Sequence, residues 1–78
     1  MTNYCWYYHD ANAGVYHAIE RHANGASRTY RAVFCLDPAT GQGKSYTGQL
    51  PSRLTAEAIM YHLAPEAVLL PGLPAFLR

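Results

Sequence analysis

Seventy-eight residues can bury one hydrophobic core and not two, which excludes an enzyme with a separate substrate domain and makes residues 1–78 a single compact domain. Half of the residues are hydrophobic and only 14% are charged, against roughly 25% in ordinary globular domains, a composition that excludes disorder and leaves little charge to solvate the surface. The formal charge of +1, from five arginines and Lys44 scattered among five acids, lacks the basic footprint usual for nucleic-acid binding and favours protein as the partner.

The run Tyr4 to His9 (Tyr, Cys, Trp, Tyr, Tyr, His) is dense in residues that suit a pleated, half-buried surface and reads as a first strand. Asp10 to Gly14 reads as a turn. Val15 to His22 fits two periods: Val15, His17 and Ile19 alternate, while Val15, Ala18, Ile19 and His22 also share a helical face. Gly14 and β-branched Val15 favour the strand; a helix would use Asp10 as N-cap and Gly25 as its C′ residue. The turn pair Asn24-Gly25 leads into a third strand, Thr29 to Leu36, with Tyr30, Ala32, Phe34 and Leu36 on one face.

A turn-rich stretch, Asp37 to Gly43, separates it from a fourth strand over Ser45 to Leu50, and the two form a hairpin. Pro51 ends that strand. Thr55 is the predicted helix N-cap, with Glu57 in the first turn and Leu54 and Ile59 placed for a hydrophobic staple. Ala56, Ile59, Met60 and Leu63 form the apolar stripe, and Pro65 stops the helix. The segment Glu66 to Arg78 is apolar without regular period; it either wraps its own domain, with a short strand at Val68 to Leu70, or joins two copies as a homodimer. The expected fold is α+β: a small antiparallel sheet of three to four strands, one C-terminal helix packed on one face, and an apolar C-terminal tail.

Pro71, Gly72 and Pro74 interrupt the longest apolar stretch of the tail, so no bilayer-spanning helix is expected. Met1 to Tyr4 lacks a basic and then apolar leader, and a cytoplasmic setting follows as the expectation. Cys5 and Cys35 stand in no C-x-x-C pair, and in a reducing compartment both are expected as free thiols; a disulfide would need their Cα atoms within about 7 Å.

Gly41, Gln42, Gly43, Lys44 and Ser45 echo the end of a phosphate-binding loop, but Pro38 replaces the first glycine and a strand follows where a helix is needed. A glycine-rich hairpin turn is the ordinary reading, and no cofactor is expected. Cys5, His9 and His17 supply ligand types for a small metalloprotein or enzyme if they share one face, although their spacing matches no zinc module. No nucleophile–base–orienter signature and no carboxylate pair appears, so no catalytic residue is assigned.

The aromatic cluster carries the main expectation. If Val15 and Ile19 face the core, Cys5 and Tyr7 join them, and Tyr4, Trp6, Tyr8 and Tyr16 form an aromatic patch on the opposite face, with Arg21, Arg28 and Arg31 as polar anchors. A one-residue change of register reverses the assignment. Such a face suits a non-catalytic protein-binding module, an inhibitor of a larger protein or nucleoprotein complex; stacked rings and arginines would alternatively hold single-stranded nucleic acid. In length and architecture alone the chain resembles the small inhibitor proteins of phages and mobile elements, anti-CRISPR proteins among them. That likeness transfers no residue roles.

Overall fold

The computed structural model describes residues 4–77. It is α+β: β1 (Tyr4–Asp10), β2 (Val15–Asn24), β3 (Ser27–Phe34) and β4 (Ser45–Tyr46) follow as an antiparallel meander, then α1 (Arg53–Leu63) and β5 (Ala67–Leu69). The sheet order is β4-β3-β2-β1-β5, and every neighbouring pair is antiparallel. Because β4 and β5 lie on opposite edges, α1 crosses one face of the sheet between them. Met1 to Asn3, read above for a leader, and Arg78, at the end of the tail, lie outside the described residues. No helix among the described residues is long and apolar enough to cross a membrane.

Loop parity decides the register of the first hairpin. Asp10 pairs with Val15 across a four-residue loop, closed by Gly14 N–H to Asp10 O at 2.9 Å and by Ala13 N–H to Asp10 Oδ1 at 3.1 Å. An even loop pairs even residues with odd ones, so Tyr8 faces His17 and Trp6 faces Ile19. Trp6 and Tyr8 therefore stand on the core side with Ile19, which reverses the predicted assignment. Between Trp6 and Tyr4 the register slips by one residue at Cys5, and this bulge returns Tyr4 to the other face, opposite Glu20.

Both faces are covered. Beneath α1 lie Tyr8, Ile19 and Ala32, closed by Ala56, Met60 and Ala64, with Trp6, Tyr30, Phe34 and Leu50 packed around them. On the other face Tyr7, Ala18, Val33 and Leu36 are buried, with Tyr4, Tyr16, Leu70 and Phe76 against them. The tail thus wraps its own domain: Leu70 N–H donates to Tyr7 O at 2.8 Å, and Phe76 meets the edge of Tyr16 at 4.9 Å. Gly43 lies so close to this layer that a Cβ would collide with Val33 Cγ1.

Several boundaries differ from the predicted ones. The third strand runs Ser27–Phe34 and stops before Leu36, because Cys35 at φ 55° breaks the alternation and sends Leu36 to the layer of Tyr7, Ala18 and Val33 instead of the face of Tyr30, Ala32 and Phe34. The helix is capped by Ser52, not Thr55: Ser52 Oγ accepts from Thr55 N–H at 3.2 Å, and the two hydroxyls hydrogen-bond at 2.9 Å. With the start moved back one turn, Leu54 lies inside the helix, 66% exposed, so the staple does not form, and Glu57 falls beyond the first turn. The buried line runs Ala56–Met60–Ala64 at i, i+4, leaving Leu63 62% exposed; Pro65 follows the helix as expected. The fourth strand is shorter than Ser45 to Leu50, because Thr47 Oγ1 accepts Ala32 N–H at 3.0 Å and breaks the ladder until the Tyr30–Leu50 bridge. The second loop is Gly25-Ala26, with Asn24 still paired to Ser27; Gly25, at φ +63°, takes the first position of a two-residue loop, where a II′ turn needs positive φ.

Candidate interaction surface

Strand lengths create a projecting feature of the sheet. β1 supports β2 only as far as Glu20, and the 47–50 segment supports β3 only as far as Tyr30, bonded both ways to Leu50 at 2.8 and 2.9 Å. Arg21 to Thr29 therefore extends as a free two-stranded ribbon, paired Arg21–Tyr30, His22–Thr29, Ala23–Arg28 and Asn24–Ser27. Its tip, Ala23 to Ser27, holds no side chain larger than asparagine, and all five residues are exposed.

The ribbon and its root concentrate positive charge. Residues 21–31 contain Arg21, Arg28 and Arg31 and no acid, a formal +3; since the whole chain carries +1, the remaining residues carry net −2. Asp10, Asp37 and Glu66 sit at the opposite end, Asp10 paired with Val15 and with Ala67, and Asp37 beyond the end of β3. The near-neutral total thus conceals an acid-free cationic stretch.

Register distributes the cations to both faces of the ribbon. Arg21 and Arg28 share the face of Tyr30, while His22 and Arg31 share that of Thr29. At the root of the first face, Trp6 lies 6.1 Å from the Tyr30 ring, with the Arg21 and Arg53 guanidinium carbons 5.9 and 5.1 Å from its centroid, so the indole is half-buried between cations. On the second face, Glu20 stands directly across from Arg31 but accepts from His22 Nε2 at 2.7 Å. Arg31 has no ion pair among the described residues, and its Nε is buried without a hydrogen-bond partner. It lines a shallow cavity of about 280 Å³ with His22, Asn24, Ser27, Thr29 and Gln49.

The sequence-predicted patch is divided by the fold. Tyr8 is fully buried and donates its hydroxyl to Glu57 Oε2 at 2.6 Å; burial, then this bond, push its ionisation far above the usual tyrosine range. Tyr4 and Tyr16 pack on the opposite face, where Tyr4 Oη accepts Gly43 N–H at 3.1 Å and Tyr16 stacks on His9 at 4.3 Å. Only Trp6 remains with the arginines. Arg21, Arg28 and Arg31 come together on the ribbon, as does His22, which the expected patch did not include.

Cys5, His9 and His17 do not share a face. His9 pairs with Tyr16 and His17 with Tyr8, which places the two rings on opposite sides of the sheet, and Cys5 is exposed at the bulge. No group of three potential metal ligands occurs among the described residues. His17 is buried, and its Nδ1 accepts Cys35 N–H at 2.9 Å, which holds Cys35 at φ 55° where β3 ends; burial lowers its pKa, against an opposing pull from Asp10. Both cysteines are free thiols.

No family model, curated protein or solved structure matches this chain.

Proposed function

We propose that the chain is a non-catalytic binding module that grips an anionic macromolecular partner with the β2–β3 ribbon. The observation that carries this reading is the acid-free projection of Arg21 and Arg28 beyond the packed body, with Arg31 at its root and none of the three in an ion pair among the described residues. A surface cation held without a counter-ion costs little in water and gains when a partner supplies the anion, which speeds encounter and fixes orientation. An inhibitor of a nucleoprotein complex would use such an arm.

Heparin chromatography at pH about 8, near the isoelectric point of 7.8, tests the reading, because net charge then gives no retention. The wild type is expected to be retained and Arg21→Gln/Arg28→Gln to elute near the void, with Lys44→Gln, at the other end, unchanged. Flow-through of the wild type would sink the proposal.

The homodimer reading has an observation of its own. The large exposed apolar side chains among the described residues (Leu54, Tyr61, Leu63, Val68, Leu69 and Leu73) all fall on α1, the edge strand β5 and the tail. Burying them against a second copy would remove this surface from water. Sedimentation equilibrium tests it: a dimer that Leu69→Lys dissociates supports self-association, and a monomer at all concentrations removes it.

A further inference from the structure

We infer that the ribbon enters the major groove of a DNA duplex, an inference that rests on the ribbon being the anion-binding arm. Three features select a groove over a flat acidic surface. The first is the two-sided placement of the arginines: Arg21 and Arg28 leave one face and Arg31, at the root across from Glu20, the other. A flat surface can meet only one of these faces, whereas the paired phosphate backbones of a duplex meet both. The second is the slim tip. Two strands about 4.8 Å apart, tipped by Ala23, Asn24, Gly25, Ala26 and Ser27, fit a groove about 12 Å wide.

The third is reach. Arg21 to Asn24 spans three strand steps, about 10 Å, which matches a groove depth of about 8.5 Å and sets Arg21 at the height of the phosphates when the tip meets the bases. Arg31 stands one step above it, and Arg28, one step from the tip, reaches the groove wall by its long side chain. At that depth the Asn24 amide and the Ser27 hydroxyl, directly opposite one another, reach base edges; an asparagine amide matches the acceptor and donor of adenine. The arginines position and the tip reads.

Fluorescence anisotropy with a labelled DNA duplex of about 20 base pairs at about 50 mM salt tests the inference, with the single strand and the equivalent RNA duplex in parallel. The wild type is expected to bind the DNA duplex at least about tenfold more tightly than either, with log K falling against log salt at a slope near −2.7 for three phosphate contacts. Arg28→Gln, an exposed position, is expected to reduce that slope by about 0.9, and Asn24→Ala to weaken binding with the slope unchanged. Bulky C5 substituents on the cytosines, which fill the major groove, are expected to abolish binding. Retention on heparin without duplex binding would overturn the groove and leave the anion-binding arm standing, whereas loss of both would overturn both. Equal affinity for single strands, tighter binding to RNA, or indifference to the C5 substituents would each overturn the groove alone.

Discussion

Removing one oxygen atom from Tyr8 tests whether the aromatic run is core or contact surface. Tyr8 is fully buried, and its hydroxyl makes a 2.6 Å bond to Glu57 Oε2, while Arg53 Nη1 stands 3.8 Å from the same carboxylate oxygen. Tyr8→Phe keeps the ring, its edge contact with Tyr61 at 6.0 Å and its packing on Met60, so the change isolates the bond. Hydrogen bonds to charged groups contribute about 1.5–3 kcal/mol net. The Glu57 side chain keeps 19% exposure and can partly rehydrate, which selects the low end, about 1.5–2 kcal/mol. A domain of 78 residues has roughly 4–12 kcal/mol in total, so the loss should lower Tm by about 10 °C. Urea unfolding followed by Trp6 fluorescence gives the free energy directly, and a cycle with Glu57→Gln should return a coupling of about 1 kcal/mol between the two positions. A Tyr8→Phe midpoint within error of wild type would refute the reasoning, because it would mean the hydroxyl exchanges its partner for water without loss.

Other perturbations follow from the same contacts. His17 is held neutral in the folded state, so its folded pKa lies below the unfolded value near 6.5; the unfolded chain binds the extra proton, and stability, complete above pH about 6.5, declines as pH falls, by up to about 1.4 kcal/mol per unit. Urea midpoints between pH about 5 and about 8 should show this slope and His17→Gln should flatten it; an unchanged slope in the variant would assign the effect elsewhere. Gly43→Ala drives a methyl into Val33 Cγ1 and should cost about 1–3 kcal/mol by thermal unfolding, with Gly48→Ala, open to solvent, as the comparison. Ser52→Ala should cost about 1 kcal/mol through loss of the cap on Thr55 N–H, whereas Thr55→Ala should cost less than half of that; the reverse order would restore Thr55 as the cap.

The strands were legible because alternation and aromatic content mark them, and β3, with Tyr30, Ala32 and Phe34 inward, is the clearest case. Register was not, because it depends on whether the first loop counts Asp10 among its members, and one residue there sends Tyr8 to the opposite face. The bulge at Cys5 escapes any strict period-two reading, which keeps Tyr4 with Trp6. The cap was ambiguous for a different reason: Ser52 and Thr55 are three residues apart and both competent, and only the observed geometry shows which accepts and which donates. The seven residues expected to meet a partner divided by what positions them. The arginines, set by strand length, were brought together, and the rings, set by face, were separated. A signal for the ribbon was present in the chain. No acid occurs between Glu20 and Asp37, and a glycine turn lies inside that interval, so its cations had to converge when the hairpin closed.

That convergence leaves the two ends of the molecule differently packed. At the far end, Asp10 closes its own loop, His17 clamps Cys35, and Asp37 N–H and O tie Gln42 and Gly41 into a turn at 2.8 and 2.7 Å. Side chains there are committed to one another, and substituting them costs stability. Beyond Glu20 the ribbon has its ladder of backbone bonds and an exposed tip, with no buried apolar side chain between Arg21 and Arg31. Arg28 is exposed there, so exchanging it removes charge without opening a cavity, and a change in binding at Arg28 is not confounded with unfolding. Gathering Arg21 and Arg28 on a projecting hairpin with Arg31 at its root, while Asp10, Asp37 and Glu66 stand at the other end, produces a local field while the total charge stays near zero.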